Sequence, residues 1–213
     1  MPPEAAEDLM TAADFAAVSG TTEAQIADLE ALRGLLAEWN ENMNLVGPAT
    51  LPAFWSRHAW DSAQLLQRAP DALTWADLGA GAGFPGLVLA ILLKGRPGAK
   101  VHLVESMAKR CRFLSEVVAS LALPAQVHNG RAEALKITVD VVTARAVAPL
   151  SKLLGYAQPY MARKAVGLFL KGLDVGAEIE EATKYWNFDV ERLPSLSDPR
   201  GQVLRIERLS RAA

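Results

Sequence analysis

From Thr22 to Trp39 the apolar residues Ile26, Leu29, Leu32, Leu35, Leu36 and Trp39 recur every three or four positions, with charged residues between them. That spacing lines one face of an α-helix with apolar side chains, and Thr21 or Thr22 supplies an N-cap whose hydroxyl can satisfy a free backbone N–H. Asn40 to Pro48 contains three asparagines, a glycine and a proline, which ends the pattern, and a second helix is predicted from Pro52 to about Leu66. Pro70 and Asp71 close this helical segment. Beyond them the periodicity changes. Short apolar runs at Leu73–Leu78, Val101–Val104, Ala125–His128, Val139–Ala144 and Val166–Leu170 alternate with helical stretches at Gly86–Leu93, Met107–Leu121 and Leu150–Met161. Such alternation predicts an α/β fold on a parallel sheet. At the end, Phe188–Leu193 and Gln202–Leu209 flank Pro194, Ser195, Asp198, Pro199 and Gly201, which predicts an antiparallel hairpin. The expected organisation is a helical extension over residues 1–70 and a Rossmann-like domain over 71–213, mostly parallel and closed by the antiparallel pair. No internal repeat interrupts it.

Composition narrows the function classes. A chain of 213 residues, 51% apolar and 22% charged, can bury one sizeable core. Its longest apolar run, Leu87–Leu93, falls short of the roughly 18 residues that span a bilayer. The first residues carry Glu4, Glu7 and Asp8 and no basic cluster, unlike a secretory signal, so a cytoplasmic protein is expected. The single cysteine, Cys111, excludes an internal disulfide framework and a cysteine metal cage, and no metal is expected. A net charge of −2 and a pI near 6.0 weigh against binding nucleic acid through bulk charge. Any basic surface must be local.

Asp77-Leu78-Gly79-Ala80-Gly81-Ala82-Gly83-Phe84-Pro85-Gly86 carries the clearest chemistry. Gly81, Gly83 and Gly86 follow a predicted strand and open a predicted helix, so the backbone can pass close to a ligand that faces the helix N-terminus. Pro85 suits the first helical turn. The pattern alone fits a dinucleotide or S-adenosylmethionine. Asp77 tips the choice: its carboxylate repels a pyrophosphate and attracts a sulfonium and an ammonium. Glu105, about twenty residues on at the end of the next strand, can accept from ribose hydroxyls, which both ligands possess.

At this point a family resemblance emerges. Asn40–Val46 (NENMNLV), Arg57–Ser62 (RHAWDS), Asp77–Gly86 (DLGAGAGFPG), Val104–Leu114 (VESMAKRCRFL), Arg131–Glu133 (RAE), Thr143–Ala146 (TARA) and Leu170–Gly172 (LKG) occur in the order that resembles the small-subunit rRNA methyltransferase G family, also called glucose-inhibited division protein B. The resemblance covers roughly residues 25 to 210. It implies a Rossmann-like class I S-adenosylmethionine-dependent methyltransferase acting on N7 of a guanine in 16S rRNA, free or within the small ribosomal subunit. It further implies a donor site at Asp77, Gly79, Gly81, Gly83, Phe84 and Glu105. Gly79 and Phe84 flank the donor, Ala132 and Glu133 approach its adenine, and Arg145 closes the site. Alanines at positions 80 and 82 and Phe84 replace residues that vary elsewhere in the family's loop, and the tail after Glu178 is only weakly similar.

Methyl transfer to a guanine N7 that already offers a lone pair needs no general base, so no Ser-His or Cys-His signature is expected. Positioning residues are expected instead: Arg145, Lys171, Lys109, Arg131, His58 and Arg57. Arg110, Arg112, Arg163 and Lys164 are further candidates for a local phosphate-binding rim. Asp61 follows Arg57 by four residues and His58 by three, a helical spacing at which one carboxylate reaches either. Trp39, Trp55 and Trp60 are expected in the core, His102 and His128 as incidental strand residues, and Cys111 as a small packing residue. A methyltransferase of small molecules or proteins, and a dinucleotide-binding oxidoreductase, remain the competing readings.

Overall fold

The computed structural model describes residues 10–47, 50–161, 165–173 and 175–212. Helices α1 (Ala12–Ser19) and α2 (Glu23–Met43) each open on a capping box, Thr11 with Asp14 and Thr22 with Gln25. In each box a hydroxyl and a side chain three residues on satisfy two backbone N–H groups that have no partner inside the helix. Thr22 is thus the cap of α2, and α1 has no counterpart among the predicted elements. α2 runs one turn past Trp39 and stops at Asn44, which takes the left-handed conformation (φ 47°) that asparagine tolerates better than most residues. The break therefore falls at the last of the three asparagines. The helix expected from Pro52 is two elements, a π-helical segment at Trp55–Trp60 that runs into α3 (Asp61–Arg68).

Seven strands follow: β1 (Thr74–Leu78), β2 (Lys100–Glu105), β3 (Ala125–Asn129), β4 (Val141–Arg145), β5 (Val166–Lys171), β6 (Trp186–Pro194) and β7 (Gln202–Arg211). They form one sheet in the order β3-β2-β1-β4-β5-β7-β6. β1 to β5 pair in parallel. β7 is antiparallel to both β5 and β6, so it alone runs against the other six. The predicted hairpin is present, but its second strand is inserted between β5 and β6.

Alternation along the strands separates two cores. Trp75, Val101, Leu103, Val141, Leu168 and Val203 face one, with α2, α3, α4 (Gly86–Leu93) and α5 (Ala108–Ser120) packed there. Ala76, Leu78, Val104, Val142, Phe169 and Leu204 face the other, against α6 (Leu150–Ala157) and α7 (Val175–Thr183). α7 was not among the predicted elements. The first core is continuous across residue 70: Phe15, Leu29, Leu32 and Leu36 belong to the same buried cluster as Trp75 and Leu87. Phe15 sits 5.4 Å from Trp55 and 6.4 Å from Trp60, centroid to centroid, so α1 backs the π-helical segment. Among the described residues no helix is long and apolar enough to cross a membrane.

Candidate active site

β1 ends at Leu78 and α4 begins at Gly86, so the glycine-rich segment is the turn between them. Gly79 has φ +67°, and a Cβ there would stand 2.9 Å from a Val147 methyl; both the conformation and the space require glycine. Ala80 N–H donates to the Val104 carbonyl at 2.9 Å, which ties the turn to β2. The Phe84–Pro85 peptide bond is cis.

Two carboxylates organise the turn from beneath. Asp77, with no exposed surface, accepts the Gly86 N–H on Oδ2 at 2.8 Å. Its Oδ1 is buried with no partner among the described residues. Burial pushes its pKa up to about 7, against the pull of the Gly86 N–H and of Arg145. Gly86 is needed here too, because a Cβ would lie 2.7 Å from Asp77 Oδ2. Glu105, at the end of β2, accepts from Gly81 N–H at 3.0 Å and from Met107 N–H at 2.8 Å on separate oxygens. One carboxylate thus joins two strand-end turns, and its Oε1 also accepts the Ser106 hydroxyl at 3.5 Å. Ala132 and Glu133 lie in a short 3₁₀ turn after β3. The Ala132 carbonyl accepts from Tyr160 Oη at 2.8 Å, and Glu133 stands 3.8 Å from Arg131.

Arg145 closes β4 and is clamped by the π-helical segment. Its Nη1 donates to the Arg57 carbonyl at 2.8 Å and to Asp61 Oδ2 at 3.1 Å, and its Nη2 donates to His58 Nδ1 at 3.1 Å. A guanidinium only donates, so His58 Nδ1 is the accepting nitrogen. The guanidinium also lies 5.2 Å from the Phe84 ring centroid, and that ring stacks on His58 at 4.5 Å and 15°. The expected pairing of Asp61 with Arg57 or His58 does not form. A π-helix pairs residues five apart, which swings the four-residue spacing out of register, so Asp61 reaches the sheet instead. Arg57 turns to Asp198 in the β6–β7 turn, at 3.4 Å.

These residues edge a cleft of 690 Å³ that runs from the ends of β4 and β5 to the β6–β7 turn. Arg57, His58, Arg145 and Lys171 line it, as do Ser197 and Asp198. Lys171 Nζ donates to Glu178 Oε2 at 2.6 Å and to the Ala148 carbonyl at 3.0 Å, which fixes it as part of the wall. Lys109 and Arg131 are placed elsewhere: Lys109 Nζ donates to the Asn42 carbonyl at 3.4 Å, and the Arg131 side chain is 81% exposed. Arg163 and Lys164 lie outside the described residues. The turn residues Ser195, Ser197, Asp198 and Arg200 were no part of the predicted site, and their only signal in the sequence was turn composition. Trp55 and Trp60 are buried, and Trp39 packs at the core edge with its Nε1 donating to Glu116 at 3.1 Å. His102 and His128 lie in strands as expected, on β2 and β3, and are bonded to each other, Nδ1 to Nε2 at 2.9 Å. Cys111 is buried, with Sγ donating to the Glu105 carbonyl at 3.3 Å.

Comparison with known proteins decides among the readings. A family model described as rRNA small subunit methyltransferase G, GidB, matches residues 25–203. The chain belongs to this family. Caulobacter vibrioides has a relative named ribosomal RNA small subunit methyltransferase G that is 63% identical over 207 residues, covering 97% of this chain and 96% of that protein. A Bradyrhizobium relative of the same name is 45% identical, covering 98% and 94%. Among solved structures, mitomycin 7-O-methyltransferase MmcR superposes with a TM-score of 0.59 at 15% identity, covering 97% of this chain and 74% of that one, a likeness of fold. The chain is therefore an S-adenosylmethionine-dependent methyltransferase of small-subunit rRNA. The turn fits that donor: the buried Oδ1 of Asp77 has no hydrogen-bond partner among the described residues, and a cationic ligand suits a buried carboxylate where a pyrophosphate does not. Among the described residues no group of three or more side chains could hold a metal ion.

Proposed function

We propose that this chain methylates N7 of a guanine in 16S rRNA, in the cytoplasm, with the acceptor base in the cleft between β4 and the β6–β7 turn. The observation that carries this reading is the junction at Arg145: the cleft and the glycine-rich turn share it as a wall, through its contacts with His58 and Phe84. In this reading Asp77, Gly79, Gly81, Gly83, Phe84 and Glu105 form the donor site, with Ala132, Glu133 and Arg145 at its rim. S-adenosylmethionine, when bound, supplies an electrophilic methyl group on a sulfonium.

The protein's part is positioning. Guanine N7 carries its own lone pair, so no side chain need remove a proton, and His58 is held by Arg145 and Phe84 rather than offered as a base. Aligning acceptor and donor in well-oriented systems contributes up to about 7 to 11 kcal/mol. The base gains positive charge as the methyl group arrives. Asp61, Glu178 and Asp198 give the cleft carboxylates that favour this charge, and Arg145 is tied to three acceptors that hold its own charge in place. Arg57 and Arg200, with side chains 51% and 68% exposed, stand at the rim, where phosphates are bound. Lys109, Arg131 and Lys171 are assigned to orientation of the RNA or of the wall. Within the helical extension 1–70, α1 braces the π-helical segment against the domain formed by 71–213.

The test is transfer of a tritiated methyl group to 16S rRNA, and separately to small subunits, from a strain lacking this activity, followed by mapping of the modified base. Incorporation at a single guanine N7, lost with Gly81→Asp, is expected. Donor binding without incorporation at a guanine N7 of either RNA form would refute this reading.

A further inference from the structure

Three carboxylates line the cleft, and they are held in different ways. Asp61 accepts from Arg145 at 3.1 Å, from Ser197 Oγ at 2.7 Å and from Gln64 Nε2 at 3.2 Å, so it is committed to fastening the π-helical segment to the sheet and the turn. Glu178 is held by Lys171 at 2.6 Å and by the Leu150 N–H at 2.6 Å. That lysine side chain is only 10% exposed, so the pair is a fixed piece of the wall. Asp198 differs. Its Oδ1 accepts the Arg200 N–H at 2.9 Å, inside its own turn, and among the described residues its charge is met by Arg57 at 3.4 Å and Arg200 Nε at 3.5 Å. Both partners are more than half exposed and can give way to a ligand.

The Arg200 N–H and the neighbouring cations also hold the Asp198 carboxyl below the usual carboxylate range, so it is ionised at neutral pH. Each of its oxygens retains a lone-pair site. Two parallel acceptors are the complement of the N1–H and N2–H₂ donors on the Watson–Crick edge of guanine; adenine offers no such pair. N7 lies on the opposite edge of the base. A guanine gripped by its Watson–Crick edge at the β6–β7 turn therefore directs N7 across the cleft toward Arg145 and Ala146 at the end of β4, beside the glycine-rich turn.

Resting on the reading of this chain as a guanine-N7 methyltransferase, we infer that Asp198 selects guanine by accepting from N1–H and N2–H₂ of the acceptor base. The contact also favours the reaction itself. Positive charge arriving on the imidazole ring makes N1–H more acidic, so its bond to an ionised carboxylate is stronger in the transition state than in the ground state, the kind of interaction that raises kcat.

The experiment is a substitution cycle on enzyme and RNA. After the modified guanine has been mapped, 16S rRNA is rebuilt by splinted ligation with guanine or inosine at that position. Inosine keeps N7 and N1–H and lacks the 2-amino group. Wild-type enzyme is expected to lose about tenfold to a hundredfold in kcat/KM on inosine RNA, the worth of one hydrogen bond to a charged group. Asp198→Asn is expected to lose a similar factor on guanine RNA, to discriminate guanine from inosine by no more than about twofold to threefold, and to bind S-adenosylmethionine as wild type does, which shows that the variant is folded. Full discrimination by Asp198→Asn, or none by wild type, would overturn the inference while leaving the methyltransferase reading intact. Glu178→Gln is the comparison: collapse of discrimination there and not in Asp198→Asn assigns the contact to Glu178 and also overturns it. Wild-type enzyme that leaves every guanine N7 unmodified would instead sink the reading beneath it.

Discussion

Asp77→Asn tests whether the base of the glycine-rich turn holds a carboxylate whose burial resists ionisation. Asparagine keeps an oxygen for the Gly86 N–H and removes the charge. In the unfolded chain the Asp77 carboxyl titrates near 3.8, and in the fold near 7, so the folded state holds the proton more tightly and ionisation opposes folding. The stability this contributes is complete below pH 3.8, declines as the pH rises, and is gone above about 7. Each pH unit between the two values is worth about 1.4 kcal/mol, so the whole effect is on the order of 4 kcal/mol. Roughly 2 to 3 kcal/mol of it falls between about pH 5 and pH 8.5. The asparagine Nδ2 takes the place of the unpartnered Oδ1, at a cost of about 1 to 3 kcal/mol that does not change with pH. Urea unfolding of both proteins across that interval, without donor, isolates the effect, because all other titrations cancel in the difference. Wild type should weaken relative to Asp77→Asn by the 2 to 3 kcal/mol stated, and saturating S-adenosylmethionine should flatten the slope if its positive charge meets this carboxylate. Parallel curves without donor would refute the argument.

Gly79→Ala should cost at least about 1 to 2 kcal/mol from its left-handed backbone and displace Val147, seen as a lower midpoint in thermal unfolding and weaker donor binding by calorimetry. Phe15→Ala should destabilise by about 3 to 5 kcal/mol in chemical denaturation, and because Phe15 backs Trp55 and Trp60, surviving folded protein should show a raised KM for RNA. Asp61→Ala removes the carboxylate that meets Arg145 and should cost about 1 to 3 kcal/mol while lowering kcat; Asp61→Asn, which keeps an acceptor, should lose less in the same assays.

β1, β2, β4 and β5 were readable because their apolar runs are buried on both faces, and burial on both faces leaves an unbroken run in the sequence; the edge strand β3, with no fully buried residue, left only a short run to read. The glycine-rich turn was readable because its backbone demands show directly as glycines. α1 was missed although Thr11 and Asp14 spell a capping box: eight residues with one fully buried side chain, Phe15, carry no stripe to detect. α7 failed for a similar reason, since only Val175 and Ala182 are buried among its acidic residues. Asp61 was identified as a helical ion-pair former, but its true partner lies 84 positions away on β4, and a local spacing rule has no access to that. The π-helical winding that redirects it leaves no compositional mark. Asp198 was visible only as a turn residue, because what brings it to the cleft is the insertion of β7, a feature of topology rather than of any window of sequence.

That insertion has a bearing on how the enzyme is made. β5 and β6 are not hydrogen-bonded to each other, and the strand between them is the last of the seven to leave the ribosome. At synthesis rates of about 5 to 20 residues per second, the nascent chain carries a split sheet until residues 202–211 arrive. The turn that fastens Asp61 and Arg57 to the far wall cannot settle before then. The glycine-rich turn, with Arg145 and Val147 packed on it, lies within residues 77–147 and needs none of this, so a growing chain can assemble that turn well before residues 202–211 complete the cleft beside it.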